Sequence, residues 1–191
     1  MDTDPLDDHL DRVLVGGREA RPIRIVDADP DWPVRYEAER IRIEAALGRR
    51  ARRVAHIGST AVPGLAAKPI VDILVAVDDP EDEVAVVAPL VGAGYVLRVR
   101  EAGHRMLRTP DREVHVHLWA AGSADERRHL LFRDWLRRDV ADRERYEATK
   151  RSLAGRAWPD MNDYAEAKGP VVREITARAE AWAATTGWAP T

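Results

Sequence analysis

Residues 70–77 form an almost continuously apolar run, and this run restricts the folds that the chain can adopt. Only Asp72 interrupts it. A short run of this kind, rich in Val and Ile, predicts a β-strand whose two faces are both covered by other parts of the protein. The chain therefore needs a sheet with further elements packed on each side of it.

The patterns on either side of this run predict the other elements. Apolar alternation predicts strands at 23–25, 53–57, 95–99, 105–109 and 113–119, with the last two joined as a hairpin. Helical periodicity predicts helices at 31–47, 81–91, 124–138, 140–153 and 164–185. We therefore predict an α+β fold with a mixed sheet of about five strands and a helical C-terminal layer.

The chain length and charge pattern predict one domain and a short extension. A chain of 191 residues suffices for one sizeable core. We expect a single domain at residues 22–187, with its helical layer at 122–187. The first twenty residues hold six acids and two bases with little apolar periodicity, so residues 1–21 are predicted to be an acidic mobile arm.

Composition excludes several classes of protein. No apolar run approaches the ~20 residues of a membrane helix, and the acidic N-terminus lacks the basic start of a signal peptide, so a cytoplasmic location is expected. The absence of cysteine excludes disulfides, thiolate catalysis and cysteine-built zinc sites. A net charge of -3 argues against nucleic acid as a partner. The oligomeric state does not follow from the sequence.

The basic residues are unusual because 27 are Arg and only three are Lys. Arg can replace Lys wherever only a positive charge is needed, so the remaining Lys68, Lys150 and Lys168 are candidates for positions that require a compact ammonium group. Lys150 and Lys168 each follow a tyrosine by four residues, which places Tyr and Lys on one helical face.

The strongest candidate for a functional site begins with Gly58-Ser59-Thr60, directly after a predicted strand. Backbone N–H groups and two hydroxyls in such a small-residue turn can bind an anion, and Lys68 adds a positive charge. Asp72 lies early on the next buried strand, where an isolated charge is costly and needs a partner or a metal ion. The alternative is a structural turn to which Asp72 is hydrogen-bonded.

The same segment resembles the signature of the nucleotidyltransferase superfamily. In that signature a hydrophobic residue and Gly-Ser precede a strand that carries Asp-x-Asp or Asp-x-Glu, as Ile57-Gly58-Ser59 and Asp72 do here. Leu74 departs from it, because a second carboxylate would stand at this position. Two carboxylates on one side of a strand would hold the divalent ions of the usual two-metal reaction, which Leu74 puts in doubt.

A narrower resemblance, to the GrpB family, covers residues 23–183. Its basis is the run from His56 to Asp72, together with Trp32 and Tyr36, Gly94-Tyr95, His115 to Leu118, Phe132 to Arg137, Tyr146 with Lys150, and Tyr164 with Lys168. Ala55 departs from the acidic residue common in the family. The resemblance implies a nucleotidyltransferase-like fold, a cytoplasmic bacterial setting and a nucleotide-related site, in a family whose members also occur fused to dephospho-CoA kinase.

Two histidines are candidate metal ligands. His115 and His117 alternate along a predicted strand and share one face. The nucleotidyltransferase-like fold implies that a later strand brings a third metal ligand to the site, which would place His115 or His117 near Asp72. Imidazoles with one carboxylate suit Zn²⁺ or Mn²⁺ better than Mg²⁺. The alternative is a pair of strand histidines that make ordinary hydrogen bonds.

These observations support a leading hypothesis and two alternatives. The leading hypothesis is binding of a phosphate-bearing small molecule, a nucleotide or CoA precursor, by Gly58, Ser59, Thr60, Lys68, Arg133, Lys150 and Lys168. Asp72, His115 and His117 would hold a divalent ion (Mg²⁺, Mn²⁺ or Zn²⁺) and, with Lys68, support nucleotidyl or phosphoryl transfer. The first alternative is a non-catalytic nucleotide-binding or scaffold module whose partner is a CoA-pathway enzyme. The second is phosphoester hydrolysis at a His/Asp metal site.

Overall fold

The computed structural model describes residues 5–19, 22–158 and 161–190. Its centre is a five-stranded sheet in the order β1-β2-β5-β4-β3. The strands are β1 (Arg53–Ile57), β2 (Val71–Val77), β3 (Val96–Glu101), β4 (His104–Arg108) and β5 (Val114–Ala120). β2 pairs parallel with β5, and the other neighbours pair antiparallel, so the sheet is mixed as predicted.

Helices surround this sheet and complete the predicted α+β class. The described helices are α1 (Pro5–Val13), α2 (Asp31–Leu47), α3 (Glu83–Gly92), α4 (Ala124–Arg138), α5 (Val140–Ala154), α6 (Met161–Ala167) and α7 (Gly169–Thr186). α4 begins as the sequence pattern predicts, since the Ser123 side chain accepts a hydrogen bond from the backbone N–H of Glu126. Within the described residues, no helix is both long enough and apolar enough to cross a membrane.

The central strand β2 is covered on both faces, as its apolar run predicts. Ile73, Val75 and Val77 pack into a cluster with side chains of α2 and α3. Leu74 faces the opposite side and packs with Trp119 of β5 and with the helical layer. Burial on both faces explains why a run with a single polar residue is required here.

The helical layer on the second face is built on α4. Leu130 of α4 joins the cluster that contains Leu74. Leu136 of α4 packs with Tyr146 of α5 and Ile175 of α7, so α5 and α7 form an outer layer over α4. This arrangement holds α5 and α7 above the end of the sheet where β2 begins.

The described part of the predicted N-terminal arm, residues 5–19, contacts the sheet. α1 ends near β3, and the backbone N–H of Val15 donates to the carbonyl of Arg98 at 2.9 Å. Glu19 pairs with Arg108 through two hydrogen bonds of 2.7 and 3.0 Å. Glu19 is therefore a counter-charge for Arg108 of β4, which a count of charges within the segment does not reveal.

The predicted strand at 23–25 is absent from the described residues. The chain makes a single β-bridge there, between Val26 and Ala67. Its apolar residues pack beside the sheet without extending it.

Glu19 provides a test of how firmly the segment is docked. Hydrogen bonds from Arg108 hold the pKa of Glu19 at about 2, well below its usual value, although burial opposes this shift. A carboxyl group with a lowered pKa in the folded state stabilises the protein above its unfolded pKa and loses this contribution as the pH falls toward 2. We expect Glu19→Gln to lower the free energy of unfolding at pH 7 by about 1–2 kcal/mol.

Denaturant titrations at several pH values measure this effect, and the difference from wild type should shrink below about pH 4.5 and become small only as the pH falls to about 2. Asp11→Asn is the matched control, because Asp11 lies on the same segment in an exposed pair with Arg18 and should cost less than about 0.5 kcal/mol. Equal effects of the two substitutions would contradict a docked segment.

Candidate functional site

The candidate site is built on the turn that follows β1. Gly58 has φ of 70°, a left-handed conformation, and Ser59–Ala61 form one 3-10 turn. Asp72 lies next to this turn, because Ile57 and Asp72 are partners in the β1–β2 register. A Cβ at position 58 would lie 2.6 Å from Oδ2 of Asp72, so only glycine lets the carboxylate approach this closely.

Asp72 meets both predicted histidine ligands. Its Oδ1 lies 3.5 Å from Nδ1 of His115 and 3.6 Å from Nε2 of His117. One potential ligand atom from each of the three residues lies within 4.8 Å of the other two. Two ligands of one tetrahedral Zn²⁺, with bonds of ~2.0–2.1 Å, lie ~3.3 Å apart, so these spacings fit a shared ion.

The surroundings keep Asp72 ionised. Burial is the largest influence and opposes ionisation, but contacts with His115 and His117 prevail and hold the pKa of Asp72 below its usual range. About a third of the side chain (32%) remains exposed. An ionised carboxylate with two imidazoles, open on one side, is a donor set suited to Zn²⁺ or Mn²⁺.

Leu74 occupies the position of the missing second carboxylate. It lies on the same face of β2 as Asp72 but is fully buried, in a cluster with Ala55, Trp119 and Leu130. An acid at this position would be surrounded by apolar side chains, so the site offers ligands for one ion beside Asp72 rather than for the usual pair.

A pocket of about 150 Å³ adjoins Asp72 and contains all three lysines of the chain. The turn after β1, together with β2 and β5, contributes one wall, and the helical layer closes the other. The lining side chains include Ser59, Lys68, Asp72, His115, Tyr146, Lys150, Tyr164 and Lys168. The rare lysines of this arginine-rich chain therefore share one location, where a guanidinium would need more room than an ammonium.

Two of these lysines are buried enough to lose basicity. Lys150 of α5 donates to Oγ of Ser59 at 3.0 Å and to the carbonyl of Ala66. Burial, and then the charge of Lys168, lowers the pKa of Lys150 to about 7. Burial also lowers the pKa of Lys168. The pocket thus disfavours its own positive charges, and a bound anion would relieve this cost.

Two tyrosines complete the pocket, and sequence reasoning did not identify them as site residues. The Tyr164 ring lies 4.9 Å from Nζ of Lys168 and 5.3 Å from Nζ of Lys68, within reach of cation–π attraction. Tyr164 is only 1% exposed, and its hydroxyl has no hydrogen-bond partner among the described residues. The only sequence signal for Tyr146 and Tyr164 was the repeated Tyr-x-x-x-Lys spacing.

Two predicted anion-binding residues lie outside the pocket lining. The Thr60 hydroxyl contacts Nε2 of His56 at 2.9 Å and donates to the carbonyl of Ile70. Arg133 is buried and donates to Asp134 and to the carbonyl of His56. Both side chains hold the turn and β1 in place.

His117 reaches Asp72 without lining the pocket, and His104 of β4 lies behind it. Burial is the main cause that lowers the pKa of His104 to about 4, so His104 is neutral at neutral pH. The sequence leaves two interpretations of His104, a residue that lines the site or one that sits in a loop, because its position depends on the pairing of β4 with β5.

Comparisons with known proteins agree with this fold. The family model described as GrpB protein matches residues 22–178. A UPF0157 protein of Streptomyces coelicolor is 52% identical over 168 residues, which cover 88% of this chain and 90% of that protein. The crystal structure of the conserved protein GrpB from Enterococcus faecalis superposes with a TM-score of 0.72 and 32% identity, covering 83% of this chain and 99% of that chain.

A longer relative carries the same region. A dephospho-CoA kinase of Mycolicibacterium paratuberculosis is 36% identical over 200 residues, which cover 88% of this chain and 49% of the kinase. This chain therefore corresponds to about half of that relative.

The contact between Gly58 and Asp72 can be tested against a glycine of similar conformation. Gly58→Ala and Gly64→Ala both place a Cβ at positive φ, which costs about 1–2 kcal/mol. Nothing lies within 4 Å of a Cβ at position 64, whereas one at position 58 would collide with Asp72. We expect Gly58→Ala to be the more destabilising in denaturant titrations and to displace Asp72 in a crystal structure. Equal costs and an unmoved Asp72 would contradict the close approach.

Proposed function

The chain belongs to the GrpB family, and from the site that its fold builds we propose that it binds a phosphate-bearing small molecule beside one divalent metal ion. The ligand would be a nucleotide or a CoA precursor, with its phosphates in the pocket of Lys68, Lys150 and Lys168. The backbone and hydroxyl of Ser59 would add hydrogen bonds. A bacterial cytoplasmic setting is part of the same proposal.

The observation that carries this proposal is the convergence of three ammonium groups on one small pocket. Among the described residues, Asp72 is the only acid that lines it. Glu147 lies near Lys150, but its carboxylate already accepts hydrogen bonds from the Ala66 N–H and from Arg151. The burial of Lys150 and Lys168 favours an anionic ligand, and a phosphate group matches both the charge and the size of the pocket.

The hydroxyl of Tyr164 supports the same ligand. A buried hydroxyl without a partner costs about 1–3 kcal/mol relative to one that is hydrogen-bonded. A phosphate oxygen in the pocket would accept this hydrogen bond while contacting Lys68 and Lys168, which lie against the same ring. The pocket thus has both charge and hydrogen-bond donors available to an anion.

Asp72, His115 and His117 are the proposed metal ligands. Their spacing fits one ion, and their ligand types favour Zn²⁺ or Mn²⁺ over Mg²⁺. Since Asp72 and His115 also line the lysine pocket, the ion would contact the same phosphate group. A bound ion would polarise a phosphoryl oxygen, and the lysines would stabilise the negative charge that develops during nucleotidyl or phosphoryl transfer.

The second candidate is a non-catalytic binding or scaffold module linked to CoA metabolism. Leu74 favours it, because the usual two-metal reaction requires a carboxylate at that position. The mycobacterial relative named dephospho-CoA kinase, in which this region makes up about half of the chain, suggests the metabolic context. In this case the same pocket would bind a phosphate compound for sensing or for attachment to a partner enzyme.

Anion binding is tested by thermal denaturation with and without inorganic pyrophosphate. At 100 times Kd the ligand stabilises the fold by about 2.7 kcal/mol, which for a chain of this size raises Tm by about 5–10 °C. We expect Lys168→Met to reduce the affinity about 10–100-fold, because one charge-assisted contact is lost. Lys168→Arg should also weaken binding, because a guanidinium is too large for the space between Tyr164 and the other lysines.

Arg145→Met is the control, since Arg145 is an exposed cation of α5 paired with Glu174 outside the pocket. It should leave the pyrophosphate response unchanged. Equal stabilisation of wild type, Lys168→Met and Arg145→Met would remove the lysine pocket from anion binding.

Metal binding is tested by calorimetric titration with Zn²⁺ and Mn²⁺. Asp72→Asn should abolish it, because the amide supplies neither the charge nor the second oxygen of the carboxylate. Glu113→Gln is the control, since Glu113 lies two residues before His115 but forms an exposed pair with Arg35. If the wild-type protein binds neither ion, or if Asp72→Asn binds as well as wild type, the metal proposal fails.

The same variants separate the two candidate functions. Conversion of a labelled nucleoside triphosphate in the presence of Mn²⁺, absent in Asp72→Asn, would favour group transfer. Binding of metal and pyrophosphate with no conversion of any nucleotide in a broad panel would favour the non-catalytic module.

A further inference from the structure

A line of side-chain contacts extends behind His117, away from the lysine pocket. Nδ1 of His117 lies 3.1 Å from Nε2 of His104. Nδ1 of His104 lies 3.4 Å from Oε2 of Glu101, and Oε1 of Glu101 lies 3.1 Å from Nε2 of His9 on α1. These contacts link Asp72 to the N-terminal segment through four side chains.

The acceptor at Glu101 determines where the protons of this line reside. A carboxylate can only accept hydrogen bonds, so Nδ1 of His104 carries the proton. In a neutral imidazole the other nitrogen is then an acceptor, and Nε2 of His104 must receive its hydrogen bond from Nδ1–H of His117. When Nδ1 carries the only proton of the His117 ring, as it does when Nε2 binds a metal ion, Nε2 presents its lone pair 3.6 Å from Oδ1 of Asp72.

In this arrangement two hydrogen-bond acceptors, Nε2 of His117 and Oδ1 of Asp72, face each other. A nitrogen lone pair and a carboxylate oxygen repel unless a cation lies between them. Either a further proton or a metal ion between the two atoms would remove this repulsion. His115, whose Nδ1 lies 3.5 Å from Oδ1 of Asp72, would be a third ligand for a metal ion. Metal-binding histidines generally donate their other N–H to a neighbouring acceptor, which fixes the tautomer and the orientation of the ring.

Stacking fixes the planes of both rings. The ring of His117 stacks on Trp119 with centroids 5.1 Å apart and planes 4° from parallel. The ring of His104 stacks on the same indole at 4.8 Å and 9°. His117 cannot tilt away from Asp72 without losing this stacking, and a 180° turn of its ring would keep the stacking but lose the hydrogen bond to His104.

We propose that His104, oriented by Glu101, is a positioning residue that holds His117 in the Nδ1–H tautomer and directs its Nε2 at the metal beside Asp72. The inference depends on the metal-binding part of the proposed function. His104 would act only through His117, which it contacts, and would not itself contact the metal ion.

Two substitutions distinguish the hydrogen bond between His104 and His117 from the stacking of the His104 ring on Trp119. His104→Phe keeps a ring against Trp119 but removes the acceptor, whereas His104→Gln keeps an acceptor for Nδ1–H of His117. We expect Zn²⁺ affinity, measured by calorimetry, to fall about 10–100-fold in His104→Phe and to remain close to wild type in His104→Gln. In the metal-free protein, long-range ¹H–¹⁵N spectra should show His117 as the Nδ1–H tautomer in wild type and as a mixture in His104→Phe.

Glu101→Ala provides a second route if His104→Phe does not fold. It removes the acceptor that orients His104 and leaves both rings in place, so Zn²⁺ affinity should fall here too. His9→Ala is its matched control, because it loses the same contact to the N-terminal segment without touching His104. It should bind Zn²⁺ as wild type does.

The two proposals fail in different ways. If wild type binds no Zn²⁺, the metal site is overturned, whereas the tautomer of His117 still reports on His104. If wild type binds Zn²⁺ and both His104→Phe and Glu101→Ala match its affinity and its His117 tautomer, the positioning role is overturned and the metal site stands.

Discussion

The parallel pairing of β2 with β5 is the constraint on which the candidate site depends. It sets Asp72 beside His115 and Leu74 beside His117. Since alternate residues of a strand share a face, Asp72 and both imidazoles emerge on the same side of the sheet. A shift of one residue in this register would direct the two histidines into the opposite core, where α2 and α3 pack.

The helical layer contributes positively charged side chains to the site, which the strands of the sheet do not. The strands supply an acid and two imidazoles, and α5 and the α6–α7 junction supply Lys150 and Lys168 from the other side. Each lysine comes with the tyrosine that precedes it by four residues, and the two rings line the pocket between the ammonium groups. The chain thus brings positive charge to a partly enclosed place where water screens it poorly, which increases the attraction for an anion.

The sequence predicted the parts of the site that depend on short-range patterns. The apolar run at 70–77 implied a covered strand, and strand alternation put His115 and His117 on one face. The scarcity of lysine pointed to Lys68, Lys150 and Lys168, which the fold brings together. The proximity of Asp72 to the histidines also required the family resemblance, because no local pattern reports which strands are neighbours.

Residues whose roles depend on long-range packing were harder to predict. Arg133 carries the charge expected of a phosphate-binding residue. Its side chain is buried instead against β1, where it donates to the carbonyl of His56. Tyr164 has no charge to mark it, and its importance lies in a buried hydroxyl that has no partner within the part of the chain that the structure describes. The pairing of Glu19 could not be predicted from local pattern, because Arg108 lies 89 positions away in the sequence.

Leu74 connects the unusual chemistry of the site to the stability of the core. Its side chain packs in the same cluster as Trp119, and Trp119 stacks against His117, His104 and His129. An acid at position 74 would place a charge against this indole and weaken the packing that orients the imidazoles. With leucine at position 74 the site has no carboxylate for a second metal ion. The same leucine packs against Trp119, on which the imidazole rings of His104 and His117 stack. A site with one carboxylate and two histidines is thus a coherent alternative to the two-carboxylate arrangement, because the same apolar contact that excludes one ligand orients the others.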